Sequence, residues 1–145
     1  MIVIGSDHGG FALKEELAAY LKEKGLEVKD MGCYSPESVD YPDVAQAACE
    51  EVKQQGCLGI LLCGTGIGIS ISANKVPGIR AALCSDPYSA RMCREHNNAQ
   101  VLCLGGRVVG PELAKCIVDA FLEGSFAGGR HQRRVDKIMA IENNK

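Results

Sequence analysis

One stretch constrains this chain more than any other: Gly59-Ile60-Leu61-Leu62-Cys63-Gly64-Thr65-Gly66-Ile67-Gly68-Ile69-Ser70. An apolar run ends at a cysteine, a glycine-rich turn follows at once, and Ile-Ser-Ile-Ser-Ala-Asn then opens a helix. Four consecutive apolar residues, Ile60 to Cys63, predict a strand buried on both faces. Glycines at 64, 66 and 68 let backbone N–H groups close around a small anion, because no Cβ blocks the approach. A helix N-terminus aimed into that turn adds partial positive charge. The thiol thus stands beside an anion-binding turn at a strand end, where open α/β sheets place their sites.

The flanking sequence repeats the strand–helix alternation. Ile2 to Gly5 reads as a first strand, and Ser6-Asp7-His8-Gly9-Gly10 as a polar turn. From Phe11 the period becomes helical, with Leu13, Leu17, Tyr20 and Leu21 on one face and Lys14, Glu15, Glu16 and Lys22 elsewhere, until Gly25. Glu27 to Met31 predicts a strand nearer an edge, since charged and apolar residues alternate. A loop over 32–42 and a helix from about Asp43 to Gln55 follow, with Gly56 as the stop. After the central turn, a short helix runs through Ala73 and ends near Val76-Pro77-Gly78. Arg80 to Cys84 is a fourth strand. Asp86-Pro87 caps a helix to about Glu95. Val101 to Leu104 is the fifth strand, Leu113 to Leu122 is helical, and a last helix spans about His131 to Ile141 after Gly128-Gly129. Five strands alternating with helices predict a Rossmann-like, three-layer α/β/α sandwich with a parallel sheet and a C-terminal helix, one domain over residues 1–145.

Composition removes several function classes. The net charge of -2 gives no pull toward nucleic acid or anionic membrane. Aromatic residues are 5% with no Trp, which leaves little for base stacking. No apolar run approaches membrane-spanning length, and the N-terminus reads as a strand rather than an export signal. The eight cysteines contain no Cys-x-x-Cys pair, so a zinc knuckle is not indicated. Cys84 and Cys103 fall in apolar runs and read as small buried hydrophobes. The expectation is free thiols in a reducing cytoplasm.

In a parallel sheet the strand C-termini share one edge. Asp7-His8, Cys63 with its turn, and Arg107 all follow strand ends there, and the helix after the fourth strand delivers His96-Asn97. Each has a plainer alternative: packing for Cys63, a turn or helix-end place for the histidines, capping for Asp7. Arg130 and Arg134 stand four apart, which suits a phosphate but also describes an ordinary solvated basic face. Three familiar loops fail. A dinucleotide fingerprint needs glycine at Ile69, a P-loop needs Lys after Gly68, and a cysteine phosphatase loop needs Arg at Ile69.

The motifs together resemble the type B ribose-5-phosphate isomerases and their allose- and galactose-6-phosphate relatives. The matching stretches are Ser6-Asp7-His8-Gly9-Gly10-Phe11, Asp40-Tyr41-Pro42, Ile60 to Ala73, Gly78-Ile79-Arg80-Ala81, Glu95-His96-Asn97, Gly106-Arg107-Val108-Val109-Gly110 and Gly128-Gly129-Arg130-His131. They span nearly the whole chain in order. The resemblance implies an aldose–ketose isomerase that needs no metal and no cofactor, with sheet order 2-1-3-5-4. Cys63 matches the base that moves a proton between C1 and C2 through an enediolate. The amides of Gly64, Gly66, Ile67 and Gly68 match the anion hole, His96 the ring-opening group, and Thr65 the residue beside the ring oxygen. Asp7 and Asn97 match binders of sugar hydroxyls; His8, Arg107, Arg130 and Arg134 match a phosphate clamp. The resemblance further implies a homodimer, in some members a tetramer, with sites shared between subunits, so that His96 and Asn97 reach the partner's site. Ribose 5-phosphate is the expected substrate. Allose 6-phosphate is the alternative within the class, and a non-catalytic sugar-phosphate sensor the alternative outside it.

Overall fold

The structure is a computed structural model and describes residues 1–144. Its strands are β1 (Ile2–Ser6), β2 (Val28–Asp30), β3 (Leu58–Cys63), β4 (Ala81–Leu83) and β5 (Val101–Gly105). Its helices are α1 (Phe11–Glu23), α2 (Tyr41–Gln55), α3 (Ile67–Asn74), α4 (Pro87–Glu95), α5 (Pro111–Glu123) and α6 (Arg130–Asn143), with a single 3-10 turn at His8–Gly10 before α1. The sheet order is β2-β1-β3-β5-β4, and every neighbouring pair is parallel. This is the order the resemblance implied, and β3 lies at its centre.

Parity along β3 decides what Cys63 faces. Ile60 and Leu62 join Ile4, Leu102 and Leu104 in a core closed by α1, α4 and α5. Leu61 and Cys63 turn the other way, toward Val3, Val101 and Cys103 under α2 and α3. The thiol therefore ends β3 on the side from which α3 starts. Local signals explain the helix ends. Gly56 terminates α2 at φ 61°, and Asp86 caps α4 by accepting the Ser89 N–H at 2.7 Å. The edges moved slightly: α2 begins two residues earlier than the sequence pattern suggests, because Pro42 fits the first helical turn. β4 is shorter than the expected Arg80–Cys84; the Arg80 N–H is taken by the Gln100 side chain and its guanidinium donates to the Asn97 and Asn98 carbonyls.

Lys14 lies off the apolar face that the sequence pattern marks on α1, yet it is buried. Its side chain is 0% exposed and its ammonium pairs with Asp30 and Glu15. The rings of Phe11 and Tyr34 flank the same ammonium at 5.3 and 5.9 Å. A four-carbon stem lets the residue bury with its helix face while the charge finds the end of β2. Breaking such a pair on one side costs more than removing it, because a charge is left without its partner. Asp30→Ala is expected to lower unfolding stability by about 3 kcal/mol, and Lys14→Met by far less. Urea unfolding of the two variants checks the order; equal losses would show that the pair does not hold this corner.

Candidate active site

The C-terminal edge of the sheet brings three loops onto one another. The Asp7 N–H donates to the Leu62 carbonyl at 3.1 Å, the Gly106 N–H to the Cys63 carbonyl at 2.8 Å, and the Arg107 N–H to the Gly64 carbonyl at 2.9 Å. These bonds tie the loops after β1 and β5 to the turn after β3. The approach is close: a Cβ on Gly106 would stand 2.7 Å from the Gly9 carbonyl oxygen. Arg107 lies over the turn, with Nη1 3.2 Å from where a Gly64 Cβ would be.

Within the turn, the Gly66 N–H donates to Cys63 Sγ at 3.1 Å. Gly66 holds φ 81°, in the left-handed region, and directs the chain into α3. The Ile67 N–H is taken by Thr65 Oγ1 at 3.1 Å, which leaves the exposed hydroxyl free to donate outward. Among the described residues, none accepts a hydrogen bond from the N–H groups of Gly64, Thr65, Gly68 or Ile69. Donors at a helix start with no internal partner form a ready anion site. Burial, followed by Glu50, pushes the Cys49 thiol up to about 12, and burial pushes Cys103 up as well. Both stay protonated and serve packing.

The loop after β1 supplies two polar groups. Asp7 caps the 3-10 turn: one carboxylate oxygen accepts from the Gly9 and Gly10 N–H groups at 2.8 and 3.2 Å. The plainer reading of Asp7 is thus realised, and its second oxygen accepts no hydrogen bond among the described residues. His8 Nδ1 accepts the Val39 N–H at 3.2 Å. In the neutral ring the proton then sits on Nε2, which can donate to an anion.

His96, Asn97, Arg130 and Arg134 form a second group, around the end of α4 and the first turn of α6. The His96 ring stacks on the His131 ring, with centroids 4.3 Å apart and planes 9° from parallel. Desolvation, then the charges of His96, Arg130 and Arg134, lower the His131 pKa, so its ring is neutral at neutral pH. Arg80 holds the turn below His96 by donating from Nε to the Asn97 carbonyl at 2.9 Å and from Nη2 to the Asn98 carbonyl at 3.0 Å. Among the described residues, no hydrogen bond or salt bridge joins this group to the Cys63 turn.

Two residues at the site were not singled out from the sequence. Tyr41 lies over the start of α3, where a Gly68 Cβ would meet its ring carbon Cζ at 2.5 Å. Its signal was the Asp40-Tyr41-Pro42 stretch. His131 had its place in Gly128-Gly129-Arg130-His131, but nothing in the spacing pairs it with His96.

A thiol with an N–H donor, unspent amides beside it and a guanidinium above can remove a proton from carbon next to a carbonyl and hold the oxyanion formed. A family model described as Ribose/Galactose Isomerase matches residues 2–138. Ribose-5-phosphate isomerase B of Escherichia coli is 54% identical, over 99% of this chain and 97% of that protein. The structure of Clostridium thermocellum ribose-5-phosphate isomerase B superposes with a TM-score of 0.97 at 58% identity, covering 99% of this chain and 97% of that one. Mycoplasma genitalium ribose-5-phosphate isomerase B, solved with bound ribulose 5-phosphate, gives 0.94 at 45% identity, covering 99% and 97%.

The turn's geometry sets its own test. A Cβ on Gly66 would lie 2.6 Å from Leu83 Cδ1 and 2.8 Å from the Leu104 carbonyl carbon, at a φ that L-residues resist. Gly66→Ala is expected to cost about 2–3 kcal/mol and to lower the melting temperature, whereas Gly110→Ala, with open space around it, is expected to be near neutral. Differential scanning calorimetry of the two variants checks it.

Proposed function

The chain belongs to the ribose/galactose isomerase family, and from that premise we propose that it interconverts ribose 5-phosphate and ribulose 5-phosphate. The observation that carries this reading is the Cys63 sulfur, bonded to the Gly66 N–H beside amides that have no acceptor among the described residues.

Ribose 5-phosphate is largely cyclic, so its ring must open first. His96 moves the proton between the anomeric hydroxyl and the ring oxygen, with the Thr65 hydroxyl beside that oxygen. The Cys63 thiolate then takes the proton from C2 of the open-chain aldose. The C2–H electron pair moves to form the C1–C2 double bond, and the carbonyl pair moves to O1. The amides of Gly64 and Gly68, and those of Gly66 and Ile67 once released from Cys63 Sγ and Thr65 Oγ1, surround the resulting cis-enediolate and stabilise its charge. A proton passes from O2 to O1, and Cys63 returns its proton to C1, leaving the ketone at C2. Asp7 and Asn97 hold hydroxyls. His8 Nε2–H and the guanidiniums of Arg107, Arg130 and Arg134 hold the phosphate. The reaction exchanges protons within one molecule and calls for no cofactor.

The same reading makes the working form a homodimer in the cytoplasm, with each site completed by the second copy. Three observations support it. The turn lies on an open edge, with Thr65, Ile67, Arg107 and Val108 exposed. Ile67, Ile71 and Val108 are 52, 55 and 61% exposed around it. α6 buries Val135 while Ile138 and Ile141 face outward, and it carries Arg130 and Arg134. A second copy would cover these apolar groups and bring His96 and Asn97 to the partner's Cys63. No helix among the described residues is long and apolar enough to cross a membrane.

Two experiments check the proposal. Purified chain is expected to turn over ribose 5-phosphate in the presence of EDTA and to prefer it to allose 6-phosphate, and Cys63→Ala is expected to lose about 10²–10⁴-fold in kcat. Sugar-phosphate binding without turnover in the unmodified chain would turn the reading toward a sensor. The shared site is checked by mixing Cys63→Ala with His96→Gln after dissociation and reassociation. Statistical hybrid dimers carry one intact site each, so activity should return to roughly a quarter of the unmodified level. No recovery would place the whole site within one chain.

A further inference from the structure

The His96–His131 stack has no place in the mechanism so far. We infer that His131 is a positioning residue, whose ring fixes the plane of the His96 imidazole for proton transfer to the sugar ring oxygen. The inference rests on the reading of His96 as the ring-opening group.

The backbone around His96 is already held. Its N–H donates to the Met92 carbonyl at 2.8 Å, at the end of α4. Arg80 grips the next two carbonyls, and Arg94 Nη1 donates to the Ala99 carbonyl at 2.7 Å and to Asn98 Oδ1 at 3.2 Å. Asn98 sits at φ 47°, so the chain turns sharply there. What this bracing leaves free is rotation of the imidazole about its own side-chain bonds. His96 is half-buried, and no side-chain hydrogen bond to either of its ring nitrogens is present among the described residues. The face of His131, nearly parallel to the ring, restricts that rotation. A stacked ring leaves both imidazole nitrogens free at the edge, whereas a hydrogen bond would have occupied one of them. For a group that must take a proton from one oxygen and give one to another, that distinction matters.

The stack also joins two functions. His131 lies between Arg130 and Arg134 in the helical turn that presents the phosphate-binding guanidiniums. A phosphate seated on those arginines fixes the first turn of α6, and the stack passes that order to His96. Misplacing a reacting group by about 1 Å costs up to about a hundredfold in rate. A partial loss of orientation is expected to cost roughly tenfold.

The test compares His131→Ala, His131→Gln and His131→Phe in the full chain with ribose 5-phosphate. His131 stands on a half-exposed helix face, so none of the three should prevent folding, and circular dichroism verifies this. Ala and Gln are expected to lower kcat about tenfold with KM changed less than about twofold. Phe, which is flat and uncharged, is expected to restore kcat to within about threefold. Proton NMR should show the His96 ring resonances moving when the stacking ring is lost and returning toward their positions with Phe. Three results would overturn the inference: unchanged kcat in His131→Ala, a rise in KM alone, or a Phe variant no better than Gln. His96→Gln with full turnover of ribose 5-phosphate would instead remove the reading of His96 itself, whatever the His131 variants do.

Discussion

The hydrogen bond from the Gly66 N–H to Cys63 Sγ is the contact on which the rest of the site depends. It exists because three independent choices agree. Parity along β3 points Cys63 toward the α3 side of the sheet. Gly66 takes a backbone angle that returns its N–H toward the end of the strand that precedes it. α3 then begins at once, so among the described residues the amides of Gly68 and Ile69 have no acceptor. A one-residue slip in β3 would turn the cysteine into the other core. A helix starting later would leave the sulfur without a donor.

Packing around that turn explains why the neighbouring loops are rich in glycine and polar residues together. The loops after β1 and β5 bond to the backbone of residues 62 to 64, and they do so at distances that side chains would prevent. Such contact excludes water from the turn's inner side and leaves its outer side open. The chemistry therefore faces an edge rather than a closed cavity. Arg107 is carried there by its own backbone bond to Gly64, which sets a positive charge beside the unspent amides. His96, Asn97 and the α6 arginines stand in a separate group, braced by Arg80 and by the histidine stack. The proposed function needs the two groups to meet through a second copy.

Much of this was readable from residue order. The buried run before Cys63, the glycines after it and the Asp86-Pro87 cap are local signals, and local signals survive folding. The strand order was not readable from periodicity, because every right-handed crossover connection leaves several orders open; the resemblance supplied it. The burial of Lys14 was not legible for a physical reason: a helical wheel sorts residues by polarity, and it cannot see a carboxylate arriving from β2 to neutralise a buried ammonium. Tyr41 and His131 were missed for a related reason. Their partners, Gly68 and His96, lie far away in sequence, and a stacked ring or a ring laid on a glycine leaves no spacing pattern. Of the two readings of Asp7, the cap is the one the structure shows: one oxygen accepts the N–H groups of Gly9 and Gly10.

The central claim is that Cys63 is the base that moves a proton at the sugar carbons. The most direct measurement is deuterium entry at C1 of ribulose 5-phosphate in heavy water, followed by proton NMR. This ketose has no free hydroxyl that could close a five-membered ring onto its carbonyl, so ring opening does not enter. With the unmodified chain, the C1 signal should diminish as the enediolate forms and reverts, while Cys63→Ser should slow that exchange by about 10²-fold or more. Exchange at an undiminished rate in Cys63→Ser would contradict the account, because another group would then be removing the proton.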